Sequence, residues 1–175
     1  GSDPRLVVAP GVEWMGKHWP AERYAVVSAP LLGPGGPLAG GRLAVIGSAG
    51  DRDDLSTIRL AVNRGTMIPL AGKLTPLQAV AVLRRAALYI GPDSLWTHLA
   101  TAAGAPVVAL FGPSEDAQRG PWGGVVVRGP RTVDEFRKID PRLNQAIQHM
   151  NDVPAERVLK AARKLLAARA AAAEA

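Results

Sequence analysis

ALYIGPDSLWTHLATAAGAPVVALF, residues 87 to 111, sets the reading of the whole chain. Its two ends, Ala87–Ile90 and Pro106–Phe111, are short apolar runs with no polar alternation. Runs of this kind suit strands covered on both faces. The stretch between them has helical spacing. It starts at Asp93 or Ser94, residue types that cap helix N-termini, and stops at Gly104, the type that ends helices. Strand, helix, strand in this order predicts a right-handed βαβ unit and a parallel pair of strands.

The same alternation continues outward. Leu6–Ala9 reads as a strand stopped by Pro10-Gly11, and Pro20–Leu32 as a helix with proline in its first turn. A loop follows at residues 33–37. Leu43–Ile46 is a second strand, closed by Gly47, and Asp51–Val62 a second helix. Met67–Leu70 is a third strand, and Thr75 caps a helix that begins with Pro76 and runs to about Arg85. Val125–Val127 is a sixth strand, and an amphipathic helix runs from Pro154 to about Ala170. The prediction is a single α/β domain over residues 1–175, a parallel sheet with helices on both faces. Residues 1–4 read as a tag remnant and linker, and 171–175 as a fraying tail.

Composition narrows the functional classes. Hydrophobic residues make up 47% of the 175, so the chain can bury a core. No apolar run reaches the ~18 residues of a membrane-spanning helix, and no secretory leader is visible. Cysteine is absent, which excludes disulfides and thiolate-bound metals and suits a reducing compartment. The net charge of +6 points to an anionic partner. The charges are dispersed and only two Phe and two Tyr are present, which argues against nucleic acid.

Ligands of open parallel sheets bind at the carboxyl ends of the strands. After the fourth predicted strand, Gly91-Pro92-Asp93-Ser94 leads into the helix that carries His98. Its free amides and dipole suit a diphosphate, and His98 lies one turn beyond Ser94. The plainer alternative is a capped helix with a core histidine. After the first strand, Lys17 lies in a glycine-containing loop, as a phosphate ligand or a solvated lysine. After the second, Asp51 reads as a ribose ligand or a helix cap. The loop Phe111–Gly123, rich in Gly and Pro, reads as a site wall or a rigid connector. The acid pairs Asp53-Asp54 and Glu115-Asp116 read as solvated faces. His18, His98 and His149 lack zinc spacing, and no P-loop, GxGxxG or nucleophile elbow is present.

Taken together, the segments resemble the C-terminal domain of glycosyltransferase family 9, the ADP-heptose:lipopolysaccharide heptosyltransferases. Pro10-Gly11 through Lys17-His18-Trp19-Pro20 is similar to its P-G-x(5)-K-x-W-P element, and Leu70-Ala71-Gly72-Lys73 to its L-x-G-K element. Asp93-Ser94 with His98-Leu99-Ala100 resembles D-[ST]-G-x-x-H-[LI]-A. Gly104-Ala105-Pro106 through Leu110-Phe111-Gly112-Pro113 resembles G-x-P-x-x-x-L-[FY]-G-P. The four elements stand in the family's order across nearly the whole chain.

The resemblance implies the C-terminal, Rossmann-like half of a GT-B glycosyltransferase, inverting and metal-independent, with no cofactor. The donor is an ADP-sugar, with ADP-heptose expected. The glycolipid acceptor and the catalytic acidic residue, the general base for the acceptor hydroxyl, belong to an N-terminal domain not represented here, so no catalytic residue is expected in this chain and it is not expected to act alone. By position, Gly11, Glu13 and Lys17 line the phosphate loop, with Lys17 on the diphosphate. Asp51 meets ribose, Leu74 lies near adenine, and Asp93 helps to bind the sugar or order its loop. The amides of Ser94, Leu95 and Trp96 face phosphate, supported by His98. Two positions depart from the pattern. Leu95 replaces the family's glycine, which reshapes the pocket, and Glu13 puts a negative charge beside the phosphate loop. The implied location is cytoplasmic, at the inner face of the bacterial inner membrane. Peripheral membrane association through the basic final helix and self-association through an uncovered interdomain face both stay open. The alternative is a non-catalytic Rossmann-like interaction domain that no longer binds nucleotide.

Overall fold

The computed structural model describes residues 4–62, 64–145 and 147–174. Among them, β1 (Pro4–Val8), β2 (Arg42–Val45), β3 (Met67–Pro69), β4 (Leu88–Pro92), β5 (Val107–Phe111) and β6 (Val125–Arg128) form one sheet in the order β3-β2-β1-β4-β5-β6. Every neighbouring pair is parallel. The helices are α1 (Ala21–Leu32), α2 (Arg52–Ala61), α3 (Pro76–Leu83), α4 (Leu95–Ala102), α5 (Asp116–Arg119), α6 (Val133–Ile139) and α7 (Ala155–Glu174).

The unbroken apolar strand sequences have a physical use here. Successive side chains of a strand point to opposite faces. Leu6, Val8, Leu43, Val45, Leu88 and Ile90 enter one core, with Val27, Leu31 and Val158 of α1 and α7. Val7, Ala44, Tyr89, Ala109 and Phe111 enter the other, with Leu83 of α3 and Ala100 of α4. Both faces are covered, as the sequence predicts.

Differences from the sequence expectation lie at the ends and in the last third. β1 begins at Pro4, which pairs with Arg42, so residue 4 belongs to the sheet rather than to a leader. The rest of that leader, residues 1–3, lies outside the described residues. α7 continues to Glu174, beyond the expected end near Ala170, because its alanines are the strongest helix formers. α5 and α6 are additional. A legible signal for α6 was present: Thr132 and Glu135 form a capping box, with Thr132 N–H donating to Glu135 Oε2 at 2.6 Å.

The strand order turns back between β1 and β4. The loops leaving these two strands diverge and open a crevice at their carboxyl ends. The chain between β6 and α7 then doubles back across that edge. Phe136 of α6 is fully buried beside Gly112, and Met150 is buried over the same glycine. Val153 O accepts hydrogen bonds from Trp19 Nε1 at 2.9 Å and Arg23 Nη1 at 2.7 Å. This strap therefore runs from β6 to α1 and walls the crevice.

Candidate functional site

The crevice is an open pocket of about 730 Å³, within the range of small-molecule sites. It is built by the loops that follow β1, β2, β4, β5 and β6.

At its centre lies Asp93, placed by the end of β4 and 3% exposed. Its N–H donates to Leu110 O at 3.2 Å, which anchors the turn to β5. Lys17, from the β1 loop, donates to Asp93 Oδ2 at 2.6 Å. His98 Nε2 and Arg119 Nη1 stand 3.7 Å from the same carboxylate. A buried carboxylate thus gathers the cationic Lys17 and Arg119 and the imidazole of His98, from three elements, at the N-terminus of α4. Ser94 is the N-cap but makes no side-chain capping bond. The first amides of α4 have no intrahelical partner and carry the partial positive charge of the helix N-terminus.

Thr97 holds this turn from below. Its Oγ1 donates to Pro92 O at 2.6 Å and contacts Tyr89 Oη at 3.1 Å. Burial pushes the Tyr89 hydroxyl well above its ordinary pKa, so it stays protonated. Gly91 leaves room for that hydroxyl, because a Cβ there would overlap it.

Toward β2, the Asp51 carboxylate accepts from Ser48 N at 2.6 Å and Ser48 Oγ at 3.0 Å. It completes the capping box of a 3-10 turn, Ala49–Asp51, and still borders the pocket. The carboxylate lies directly on Gly11 and Gly47, where any side chain would overlap it. Gly11 is therefore the residue that lets the β1 and β2 loops touch.

Toward β5, Arg128 ties down the loop that carries Arg119. Its guanidinium donates to Gly112 O at 2.6 Å, Ser114 O at 3.0 Å and Asp116 Oδ1 at 2.7 Å. The Gly/Pro-rich loop is thus a site wall made rigid by its neighbour strand. The strap adds Leu143 and Asn144.

The pocket brings together nine of the sequence-predicted site residues: Gly11, Glu13, Lys17, Asp51, Asp93, Ser94, Leu95, Trp96 and His98. Leu74 is outside this lining. It packs on the α3–α4 core, in a loop tied to the Asp51 loop by Gly72 N–H to Gly47 O at 2.9 Å. Leu95 is 54% exposed at the pocket. Arg119, Leu143 and Asn144 were not singled out by the sequence, since their loops carry no spacing motif and only the strap and α5 bring them in; Trp14 stands at a variable position of the Pro10–Pro20 element.

Two acidic positions read as solvated are paired instead. His18 Nε2 lies 2.9 Å from Asp54 Oδ1, because α2 packs beside the β1 loop. That carboxylate raises His18 above its ordinary pKa of 6.5, against an opposing effect of burial. Asp116 is taken by Arg128. Among the described residues, no group of three or more His, Asp or Glu side chains is placed to hold a metal ion. No helix among them is long and apolar enough to cross a membrane.

Residues 1–129 match the family model "Glycosyltransferase family 9 (heptosyltransferase)". Among curated proteins, the chain is 28% identical to lipopolysaccharide heptosyltransferase 3 of Escherichia coli over 167 residues, covering 92% of this chain and 46% of that protein. The chain thus spans about half the length of the curated relatives it matches. Among solved structures, it superposes on ADP-heptose lps heptosyltransferase II of E. coli with a TM-score of 0.78 at 25% identity, covering 97% of this chain and 48% of the other. It also superposes on a family 9 glycosyl transferase from Veillonella parvula, with a TM-score of 0.77 at 27% identity over 94% and 46% of the two chains.

Proposed function

Because the chain belongs to glycosyltransferase family 9, we propose that its pocket is the donor site of a lipopolysaccharide heptosyltransferase and takes an ADP-sugar, ADP-heptose foremost. The observation that carries the reading is the buried Asp93 with Lys17 at 2.6 Å and Arg119 at 3.7 Å, beside the free amides of α4. This group stands at the crevice between β1 and β4, where such sheets bind nucleotides.

In this reading Lys17, Arg119 and the α4 amides receive the diphosphate. Asp51 borders the ribose. Inverting transfer is a displacement: an acceptor hydroxyl attacks the anomeric carbon, the bond to the diphosphate breaks, and ADP leaves with an added negative charge. Fixed cations and amides at the leaving oxygens stabilise that charge as it forms. The hydroxyl's proton goes to an acidic residue of a second domain that also holds the glycolipid acceptor, so this chain binds the donor without completing transfer. The work takes place in the cytoplasm.

One observation favours a second reading, a domain that keeps the fold for interaction only. The pocket is bordered by three carboxylates, Glu13, Asp51 and Asp93, against two permanent cations, Lys17 and Arg119. Calorimetric titration with ADP, ADP-heptose and UDP separates the two. Saturable adenine-nucleotide binding, weakened tenfold or more (about 1.4 kcal/mol or more) by Lys17→Ala, is the expected result. Absence of binding to all three gives the interaction domain the lead.

A further inference from the structure

The edge of the sheet formed by β6 carries a surface that the pocket does not use. β6 is the last strand in the order, and α7 packs beside it. Arg157 Nη1 donates to Arg128 O at 2.9 Å, so the first turn of α7 stands at the carboxyl end of β6. Lys164 lies about two turns further on, about 10 Å along the helix. Val125 lies about the same distance back along β6. An open groove of about 480 Å³ runs between helix and strand, with Val125, Val126 and Val127 on one side and Arg157, Lys160, Ala161 and Lys164 on the other. These four helix positions have i, i+3, i+4, i+7 spacing, so they form one stripe of α7, while Val158 and Ala162 turn into the core.

The charge in the groove is unbalanced. Its one carboxylate, Asp116, is taken by Arg128 at 2.7 Å. Lys160 and Lys164 are exposed, and among the described residues neither pairs with a carboxylate, Glu156 one turn before Lys160 included. Trp122 stands at the amino end of the same groove. It is 95% exposed and lies three residues before Val125, within about 10 Å of it. A Cβ on Gly124 would come within 3.1 Å of Val107 O, which places this turn beside the start of β5, at the end of the sheet away from the pocket. No residue of the turn, Gly120 to Gly124, is charged. A large aromatic left in water, beside unpaired ammonium groups and an apolar strand, matches an interface with an anionic skin and an apolar interior. Indole rings settle at the headgroup level of a bilayer. Lysines are attracted to anionic lipid and lay their stems along apolar surface. Single-stranded nucleic acid would call for further stacking rings, and the valines offer none.

We propose that the groove between β6 and α7, with Trp122 at its mouth, docks the chain on the anionic phospholipid surface of a bilayer. Arg157, Lys160 and Lys164 meet headgroup phosphates, and the Trp122 indole lies among the headgroups. The surface is separate from the pocket, and the proposal stands or falls independently of what the pocket binds.

The test is co-sedimentation of the chain with vesicles of phosphatidylcholine alone and of phosphatidylcholine with an equal part of phosphatidylglycerol, at about 0.1 M and about 1 M salt. The variants are the double substitution Lys160→Gln with Lys164→Gln, and Trp122→Ser. All three positions are exposed, and thermal melts check that each variant folds. The natural chain should bind the anionic vesicles at low salt, lose most of that binding at high salt and leave the neutral vesicles alone. Each lysine should contribute about fivefold, so the double variant should bind about twenty-five-fold more weakly. Tryptophan emission of the natural chain should shift to the blue on anionic vesicles, and Trp122→Ser should abolish the shift although Trp14, Trp19 and Trp96 remain. No binding to anionic vesicles, equal binding to neutral ones, or a loss under about twofold in the double variant overturns the proposal. So does a blue shift that is absent from the natural chain or that survives Trp122→Ser. Binding to soluble polyglutamate without binding to vesicles overturns it in favour of an acidic protein partner.

Discussion

Removing the ammonium of Lys17 should destabilise the fold as well as the site. Its side chain is 19% exposed and that of Asp93 3%, at 2.6 Å. Breaking a wholly buried pair by deleting one partner costs ~3–5 kcal/mol, because the other charge is stranded. Here the loss is smaller, since Arg119 stands 3.7 Å from the carboxylate on a side chain 58% exposed and can move closer. Lys17→Met should therefore cost about 2 kcal/mol. For a chain of this length that is a fall in Tm of about 4–8 °C. Asp93→Asn keeps the shape and leaves a lysine that water can reach, and should cost about 1 kcal/mol. The double variant strands no charge and should also cost about 1 kcal/mol, so the two substitutions couple by about 2 kcal/mol. Urea unfolding of the four proteins, followed by far-UV circular dichroism, measures the cycle. Additive losses, with coupling below about 0.5 kcal/mol, would refute the view that Asp93 depends on Lys17.

Two further outcomes follow from packing and charge. The Asp54 carboxylate raises His18 above 6.5, so the pair's stabilisation is complete below pH 6.5 and is lost as pH climbs through the raised value. The Tm difference between the natural chain and Asp54→Asn should thus be larger at pH 6 than at pH 8.5 (conditions chosen about the histidine range), and a difference that grows with pH would sink the assignment. Gly91→Ala and Gly112→Ala each create an overlap, the first with the Tyr89 hydroxyl and the second with Met150 Sδ. Tyr89 is fully buried and its hydroxyl is held by Thr97, so Gly91→Ala should cost about 3 kcal/mol, whereas the flexible thioether yields and Gly112→Ala should cost about 1 kcal/mol. Chemical denaturation that finds the two equally costly would contradict the packing described here.

The elements that local chemistry specifies were readable in the sequence. The β4–α4–β5 unit is one: Leu88–Pro92 is apolar throughout, and Ser94 and Gly104 flank the helix. Residues of the site that sit in motifs, Lys17 and Asp93 above all, were readable for the same reason. Asp54 was not, because its partner His18 lies 36 positions away and meets it only when α2 packs beside the β1 loop. The places of Arg119 and Asn144 at the pocket were equally hidden, since Arg119 depends on the hold of Arg128 on its loop and Asn144 on the contacts of Asp140 and Trp14 with Gln145.

By itself, then, the sequence determined the alternation of strand and helix, the covering of both sheet faces and the family, because period, caps and apolar runs act over a few residues. Only the tertiary structure decided which side chains share the pocket. The strand order β3-β2-β1-β4-β5-β6 brings the loops after β1 and β4 side by side, and the strap returns from β6 across the carboxyl edge to dock on α1. Those meetings are long-range, and they are set by how the sheet and its helices bury their apolar faces together rather than by any local signal.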